Sequence, residues 1–124
     1  MADSDAPLSA AQQLTLRSAL AALGATPDAV AASLAAAGVT APRGDYEDSP
    51  VGRYLNRLLR AAGQRPLAWT VGYAEAIGRY PAHRDARVFP APQVRIPLPP
   101  PVRGFLQAFD VGRYPALVGR AVRA

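Results

Sequence analysis

The sequence predicts an α+β fold: a helical N-terminal half, a small antiparallel sheet of two or three strands, and a C-terminal helix packed on that sheet. Apolar residues recur at helical spacing up to residue 62, alternate with a period of two over 67–73 and 94–98, and return to helical spacing from residue 102. A chain of 124 residues has the length of one domain. We therefore expect a disordered tail over residues 1–8 and a single small α+β domain over residues 9–124.

The first helix is marked by its capping residues. Ser9 and Gln12 have the spacing of a capping box, in which each side chain binds the other residue's backbone N–H. Gly24 provides a left-handed stop, which predicts a helix over residues 9–23. The predicted buried face consists of Leu16, Ala19, Leu20 and Leu23.

The second helix begins and ends with equally clear signals. Thr26 is an N-cap followed by Pro27 at the first helical position, and Gly38 ends the helix. Its predicted buried face consists of Val30, Leu34 and Ala37. Because alanine buries little area, we expect these two Ala-rich helices to offer a flat apolar surface to a partner.

The third helix is the most clearly amphipathic one. Ser49 and Pro50 repeat the cap and proline start, and Gly63 ends the helix. The predicted buried face consists of Val51, Tyr54, Leu55, Leu58 and Ala62. The other face carries a row of arginines at helical spacing, which Arg65 extends: Arg53, Arg57 and Arg60.

In two segments after Gly63, apolar residues occupy every second position, as in half-buried strands. In the first, the residues that point the same way are Leu67, Trp69, Val71 and Tyr73, and the strand is predicted to run on to Ile77. In the second they are Val94, Ile96 and Leu98, and Pro97 between them indicates an edge strand. Residues 79–92 are predicted to be mostly loop, with 87–89 as a candidate for one more strand.

A final helix is predicted after the proline run at residues 99–101, because proline can lead rigidly into a helix but cannot lie inside one. Its buried face consists of Val102, Phe105, Leu106 and Phe109, and it ends near Gly112. One more helical turn is expected within residues 115–122.

The residue inventory argues against an enzyme. The chain has no cysteine and one histidine, His83, and it contains no Gly-rich phosphate loop. Its one acidic cluster, at residues 45–48, lacks the glycine and glutamate of a calcium loop. We therefore predict no catalytic residues, no cofactor and no metal. An enzyme would need a constellation assembled from distant residues, such as His83 with Asp45.

Charge is distributed unevenly along the chain. Residues 1–48 carry six acids and two arginines, whereas residues 49–124 carry three acids and twelve arginines. Either the two parts meet and neutralise each other, or the second part presents a basic surface to an anionic partner. The acidic N-terminus does not have the pattern of a signal peptide, and no apolar stretch has the length of a membrane span, so we expect a cytoplasmic protein without a membrane partner.

Two functions are compatible with these features. The first is a non-enzymatic protein-interaction or accessory module, which binds another protein or itself as a homo-oligomer. The alternative is a nucleic-acid-binding regulator, in which arginines of the third helix contact phosphates: Arg53, Arg57, Arg60 and Arg65. The same row is also explained by an ordinary solvated face or by pairing with the acidic loop at residues 39–48.

Two segments, residues 44–55 and 94–117, resemble small uncharacterised proteins of high-GC actinobacteria. In those, a proline-started helix with an Arg-Tyr-Leu core precedes a strand, a Leu-Pro-Pro turn and a helix that ends in Phe-Asp-x-Gly-Arg-Tyr-Pro. The resemblance covers roughly residues 27–118 and implies a shared small fold but no activity. At the end of the last helix, we expect Asp110 to pair with Arg113 and Tyr114 to fold back on the core, as a structural element or as a corner that binds a partner.

Overall fold

The computed structural model describes residues 8–80 and 93–119. Within them lie four α-helices, a three-stranded antiparallel sheet with strand order β1-β2-β3, and a 3₁₀ turn, Pro115–Leu117. The elements are α1 (Ala10–Ala21), α2 (Pro27–Ala36), α3 (Pro50–Ala61), β1 (Ala68–Val71), β2 (Glu75–Arg79), β3 (Gln93–Pro97) and α4 (Pro100–Asp110). This arrangement confirms the predicted α+β class.

The predicted helix starts are confirmed by their hydrogen bonds. The backbone N–H of Gln12 donates to Ser9 Oγ at 3.1 Å, and the N–H of Ser9 donates to Gln12 Oε1 at 2.8 Å, which completes the capping box. Thr26 Oγ1 accepts from the N–H of Ala29 at the start of α2, and Ser49 Oγ accepts from the N–H of Val51 at the start of α3. These caps satisfy N–H groups that have no partner within the helix.

Gly24 has a different role from the predicted one. Helix α1 ends at Ala21, two residues earlier than expected, and Gly24 has a φ of 158°, far from the left-handed helical value. A Cβ atom at this position would lie 2.5 Å from the Cβ of Ala29. Gly24 is therefore needed for the close approach of the connection to the first turn of α2. Gly38 and Gly63, with φ values of 72° and 75°, end α2 and α3 as predicted.

The buried face of α3 is rotated slightly from the predicted one. Leu59 is buried although it lies outside the predicted set, whereas Ala62 is exposed. Ala62 is the C-cap residue beyond the last turn, and Gly52 allows α3 to lie close to β1: a Cβ there would be 3.1 Å from the Cβ of Trp69. The full buried set is Pro50, Val51, Gly52, Leu55 and Leu59.

The strand predicted to run from Leu67 to Ile77 is two strands. The chain reverses after β1, where the N–H of Gly72 donates to the carbonyl of Glu75 at 3.1 Å, and β2 returns antiparallel to β1. Apolar alternation extends into the turn as far as Tyr73 and is interrupted at Glu75, the first residue of β2. Tyr73, predicted to be buried, lies in the turn and is exposed.

The sheet buries one face, and β3 is an edge strand as its proline predicted. Val94, Ile96 and Leu98 are buried. The N–H of Leu98 donates to Ala74 on the β2 side, so the nitrogen of its neighbour Pro97 faces the open edge, where no ladder hydrogen bond is lost. The candidate strand at residues 87–89 lies outside the described residues.

Helix α4 lies against α2, and its buried residues share one core with those of the sheet. Gly104 makes this contact close, since a Cβ there would be 2.9 Å from Pro27 Cγ. The predicted buried face of α4 is confirmed, and its side chains are Val102, Phe105, Leu106 and Phe109. The further helical turn expected within residues 115–122 is present as the 3₁₀ turn Pro115–Leu117. Residues 120–122 lie outside the described part of the chain. Buried apolar residues from α1 to α4 and from all three strands form one core cluster.

Candidate functional site

The first arginine of the α3 row is engaged within the protein. Arg53 forms a bidentate ion pair with Asp48, with Nε–Oδ1 and Nη2–Oδ2 distances of 2.5 and 2.7 Å, and its Nη1 donates to the Thr40 carbonyl at 2.7 Å. Its side chain is only 24% exposed. The hydrogen bond to Asp48 raises the pKa of Arg53, against the lowering effect of burial. For Arg53 the structure thus shows the pairing with the acidic loop.

The other three arginines follow Arg53 along the chain, two of them within α3 and one beyond it. Arg57 is exposed, and its Nη1 donates to the carbonyl of Ala37, the C-cap residue of α2. Arg60 is exposed in the last turn of α3, where a cation is favourable near the negative end of the helix dipole. Arg65 is exposed beyond the helix. The predicted row therefore divides into two pairs. Arg53 and Arg57 bind backbone carbonyls at and after the end of α2 and so hold α3 to that segment. Arg60 and Arg65 are exposed further along the chain.

The exposed surface of α1 and α2 consists of small and polar side chains plus one large apolar one. Among the described residues of these helices, Leu14 is the only large apolar side chain that is exposed, at 60%. The remaining large exposed apolar side chains of the described chain lie elsewhere: Tyr46, Tyr73, Val111 and Val118.

Two of these side chains lie together with two carboxylates. Tyr46 is 55% exposed and Tyr73 is 38% exposed, and both line one narrow cleft with Asp45 and Asp110. We call these four residues the aromatic–acidic patch. The buried side chains that also line the cleft are Ser49, Pro50, Val71, Leu106 and Phe109. The patch is therefore supported by the core.

Asp110 ties three distant chain segments together at the patch. Its Oδ1 accepts from the N–H of Gly44 at 3.2 Å, and its Oδ2 accepts from the Tyr73 hydroxyl. The N–H of Val71 donates to the carbonyl of Tyr46 at 2.8 Å, which fixes the loop against the edge of β1. The loop before α3, the β1–β2 turn and the end of α4 are thus joined at one place.

The helix end around Asp110 is partly as predicted. Asp110 binds Gly44 and Tyr73 instead of the expected Arg113, because the loop before α3 and the β1–β2 turn reach its carboxylate. Tyr114 does fold back on the core: its ring stacks on Phe105 with centroids 5.3 Å apart. The hydroxyl of Tyr114 donates to Asp28 at 2.7 Å, and burial together with this bond raises its pKa.

At the patch, the ionisation of Tyr73 is shifted by its contact with Asp110. The hydrogen bond to Asp110, with smaller effects of burial and negative charge, raises the pKa of Tyr73 to about 12. At neutral pH this phenol is therefore protonated and donates its hydrogen bond to Asp110. The carboxylates of Asp45 and Asp110 line the cleft, and the guanidinium of Arg43 lies close to Gly112 at its flank.

Within residues 8–80 and 93–119, no group of three or more His, Cys, Asp or Glu side chains could hold a metal ion. His83, which an enzyme would have to combine with a distant residue such as Asp45, lies outside these ranges. No helix in the described part of the chain has both the length and the apolar character needed to cross a bilayer.

The sequence reasoning missed both tyrosines of the patch. The period-two pattern placed Tyr73 on the buried face, and Tyr46 was one residue of an acidic loop. The available signal was Gly72, which precedes Tyr73 and disrupts the strand, but it gave no hint of Asp110. Comparison of the chain with protein-family models, with curated proteins and with solved structures found no match.

Proposed function

We propose that the protein is a non-enzymatic interaction module that docks another protein at the aromatic–acidic patch. The observation that carries this proposal is the convergence of Tyr46 and Tyr73, both exposed, on one cleft supported by the core. Tyrosine is enriched in protein interfaces because it combines a large apolar ring with a polar end. A single exposed aromatic residue is ordinary, but two on a rigid surface favour a binding role.

The occupant is a different protein rather than a second copy docked by the same patch. A two-fold symmetric contact would place the patch against itself. Asp45 and Asp110 would then face the same carboxylates of the other copy, and like charges across an interface weaken binding.

A site-specific crosslinking experiment tests this proposal. A photo-crosslinking amino acid replaces Tyr46 in one variant and Leu14 in a matched control, because these side chains are similarly exposed, at 55% and 60%. In a lysate of the source organism, we expect one discrete adduct from position 46, absent from position 14 and weakened by Tyr73→Ala. Equal adducts at both positions, or none at position 46, would refute docking at the patch.

The nucleic-acid alternative is supported by one observation, the exposure of Arg57, Arg60 and Arg65. A regulator that uses these side chains would bind short DNA or RNA duplexes with an affinity that falls steeply with salt. The double variant Arg57→Ala/Arg60→Ala would flatten the logarithmic salt slope by about 0.9 for each lost phosphate contact. Arg53 stays unchanged in this test because its pairing with Asp48 supports the fold. A slope identical to that of the original protein would rule this function out.

A further inference from the structure

We propose that the aromatic–acidic patch recognises arginine side chains in an exposed segment of the partner protein. This inference rests on the proposed docking function and adds the chemistry of the partner. It follows from two properties of the patch that act on the same ligand: exposed aromatic rings and an excess of carboxylates.

The aromatic rings favour a cation. The face of a tyrosine ring is electrostatically negative, and a guanidinium stacks on it more readily than a neutral side chain does. Tyr46 and Tyr73 both line the cleft, so a guanidinium bound there would meet an aromatic lining. The Tyr73 hydroxyl is held by Asp110, which fixes that ring in place.

The charges around the cleft favour the same ligand. Asp45 and Asp110 carry negative charge at the cleft, while Arg43 lies to one side against Gly112. Asp48 does not contribute, because it is paired with Arg53. Since the chain as a whole has a net charge of +5, this patch differs in sign from the protein around it and is where a basic segment would be attracted.

Arginine fits better than lysine. Its planar guanidinium can stack on a ring and, at the same time, donate through its edge to a carboxylate. The Asp45 and Asp110 carboxylates each have acceptor capacity beyond the hydrogen bonds that they form within the protein, since an ionised carboxylate offers about four lone-pair sites. A lysine ammonium would satisfy the charge but lose the stacking.

The test is an NMR titration of the labelled protein with three probe peptides: acetyl-Gly-Arg-Gly-Arg-Gly-amide and its counterparts with lysine or with citrulline, the neutral analogue of arginine. We expect the arginine peptide to shift the amide signals of Gly44, Tyr46 and Tyr73. We also expect it to bind about fivefold more tightly than the citrulline peptide. The lysine peptide is expected to fall between them.

Variants connect the binding to the patch. Tyr46→Ala and Asp45→Asn are each expected to lower the affinity for the arginine peptide about threefold. Leu14→Ala is expected to leave this affinity unchanged. Asp110 is not replaced, because it anchors Gly44 and Tyr73. Equal affinity for the arginine and citrulline peptides, or shifts that lie away from the patch, would overturn the inference.

The two proposals fail in different ways. If position 46 crosslinks to a partner but arginine is not preferred over citrulline, docking stands and the chemistry assigned to the partner is wrong. If position 46 gives no specific adduct while the arginine peptide binds as expected, the patch recognises arginine but does not dock a stable protein partner. If both results are negative, both proposals are wrong.

Discussion

At the scale of single residues, the Asn56 side chain forms three hydrogen bonds to Leu67 and Trp69. Its Nδ2 donates to the Leu67 carbonyl at 3.0 Å. Its Oδ1 accepts from the Leu67 N–H at 2.9 Å and from Trp69 Nε1 at 2.8 Å. One side chain thus joins α3 to the start of β1. Helical spacing could place Asn56 on α3, but its partners come from a contact that the local sequence does not encode.

We expect Asn56→Ala to lower the free energy of unfolding by about 2–3 kcal/mol, because it leaves the Trp69 indole and the Leu67 backbone without these partners. Urea denaturation measures the loss. Gln107, exposed on α4, provides the control, and Gln107→Ala is expected to change stability by less than about 0.5 kcal/mol. Similar losses in both variants would show that the Asn56 bonds contribute little.

Tyr73 offers a second residue-scale prediction, because Asp110 raises its pKa to about 12. A folded-state pKa above the usual 10.0 means that this contact stabilises the protein fully below pH 10 and that the contribution is lost as the pH rises through 12. Asp110→Asn is expected to return the Tyr73 transition toward 10. Near-ultraviolet absorbance follows the ionisation of the tyrosines during a pH titration. The part of the absorbance change that is lost in Tyr73→Phe belongs to Tyr73. A transition of Tyr73 that is the same with and without Asp110→Asn would contradict the assignment.

At the scale of elements, the helices were predictable from the sequence and the partners of their surfaces were not. Caps, terminal glycines and apolar spacing are local, so they located all four helices to within a few residues. The same spacing placed Arg53, Arg57 and Arg60 on one face and could not tell which of them would find a carbonyl or carboxylate across space. That difference depends on where the chain after α2 lies.

The division of the α3 row can be tested by comparing two alanine variants. Arg53→Ala is expected to lower the free energy of unfolding by about 1–2 kcal/mol, since it removes a bidentate pair and a bond to the Thr40 carbonyl at a partly buried position. Arg60→Ala, at an exposed position, is expected to change it by less than about 0.5 kcal/mol. Urea denaturation at two salt concentrations measures both, and equal effects would contradict the division.

The β1–β2 hairpin depends on a glycine opposite a tryptophan. Gly78 pairs with Trp69, and a Cβ at Gly78 would lie 2.8 Å from the Trp69 ring and 2.9 Å from Leu67 Cδ1. Gly78→Val is therefore expected to destabilise the protein by about 1–3 kcal/mol despite the high strand propensity of valine. Gly72→Ala is the matched control, because the nearest atom to a Cβ there is 3.8 Å away. Thermal unfolding measures both variants, and a Gly78→Val protein as stable as the control would show that the ring moves aside without cost.

At the scale of the whole molecule, the aromatic–acidic patch shows where sequence reasoning stops. Its members come from the loop before α3, the β1–β2 turn and the end of α4, and no local pattern relates residues 46, 73 and 110. The contrast in charge between the two parts of the chain was visible in the sequence. The structure joins the two parts through Asp48 with Arg53 and through Asp28 with Tyr114, while Arg60 and Arg65 are exposed.

The shared core leads to a prediction for the whole molecule. Leu20 of α1, Val30 of α2, Leu55 of α3 and Phe105 of α4 belong to the same buried cluster as Trp69 of β1. Trp69 is the only tryptophan, so its fluorescence reports on the sheet, whereas far-ultraviolet circular dichroism reports mainly on the helices. If residues 9–124 fold as one domain, both signals change at the same urea concentration and Asn56→Ala lowers both midpoints equally. Two separate midpoints would mean that helices and sheet unfold independently, and the prediction of a single domain would then be wrong.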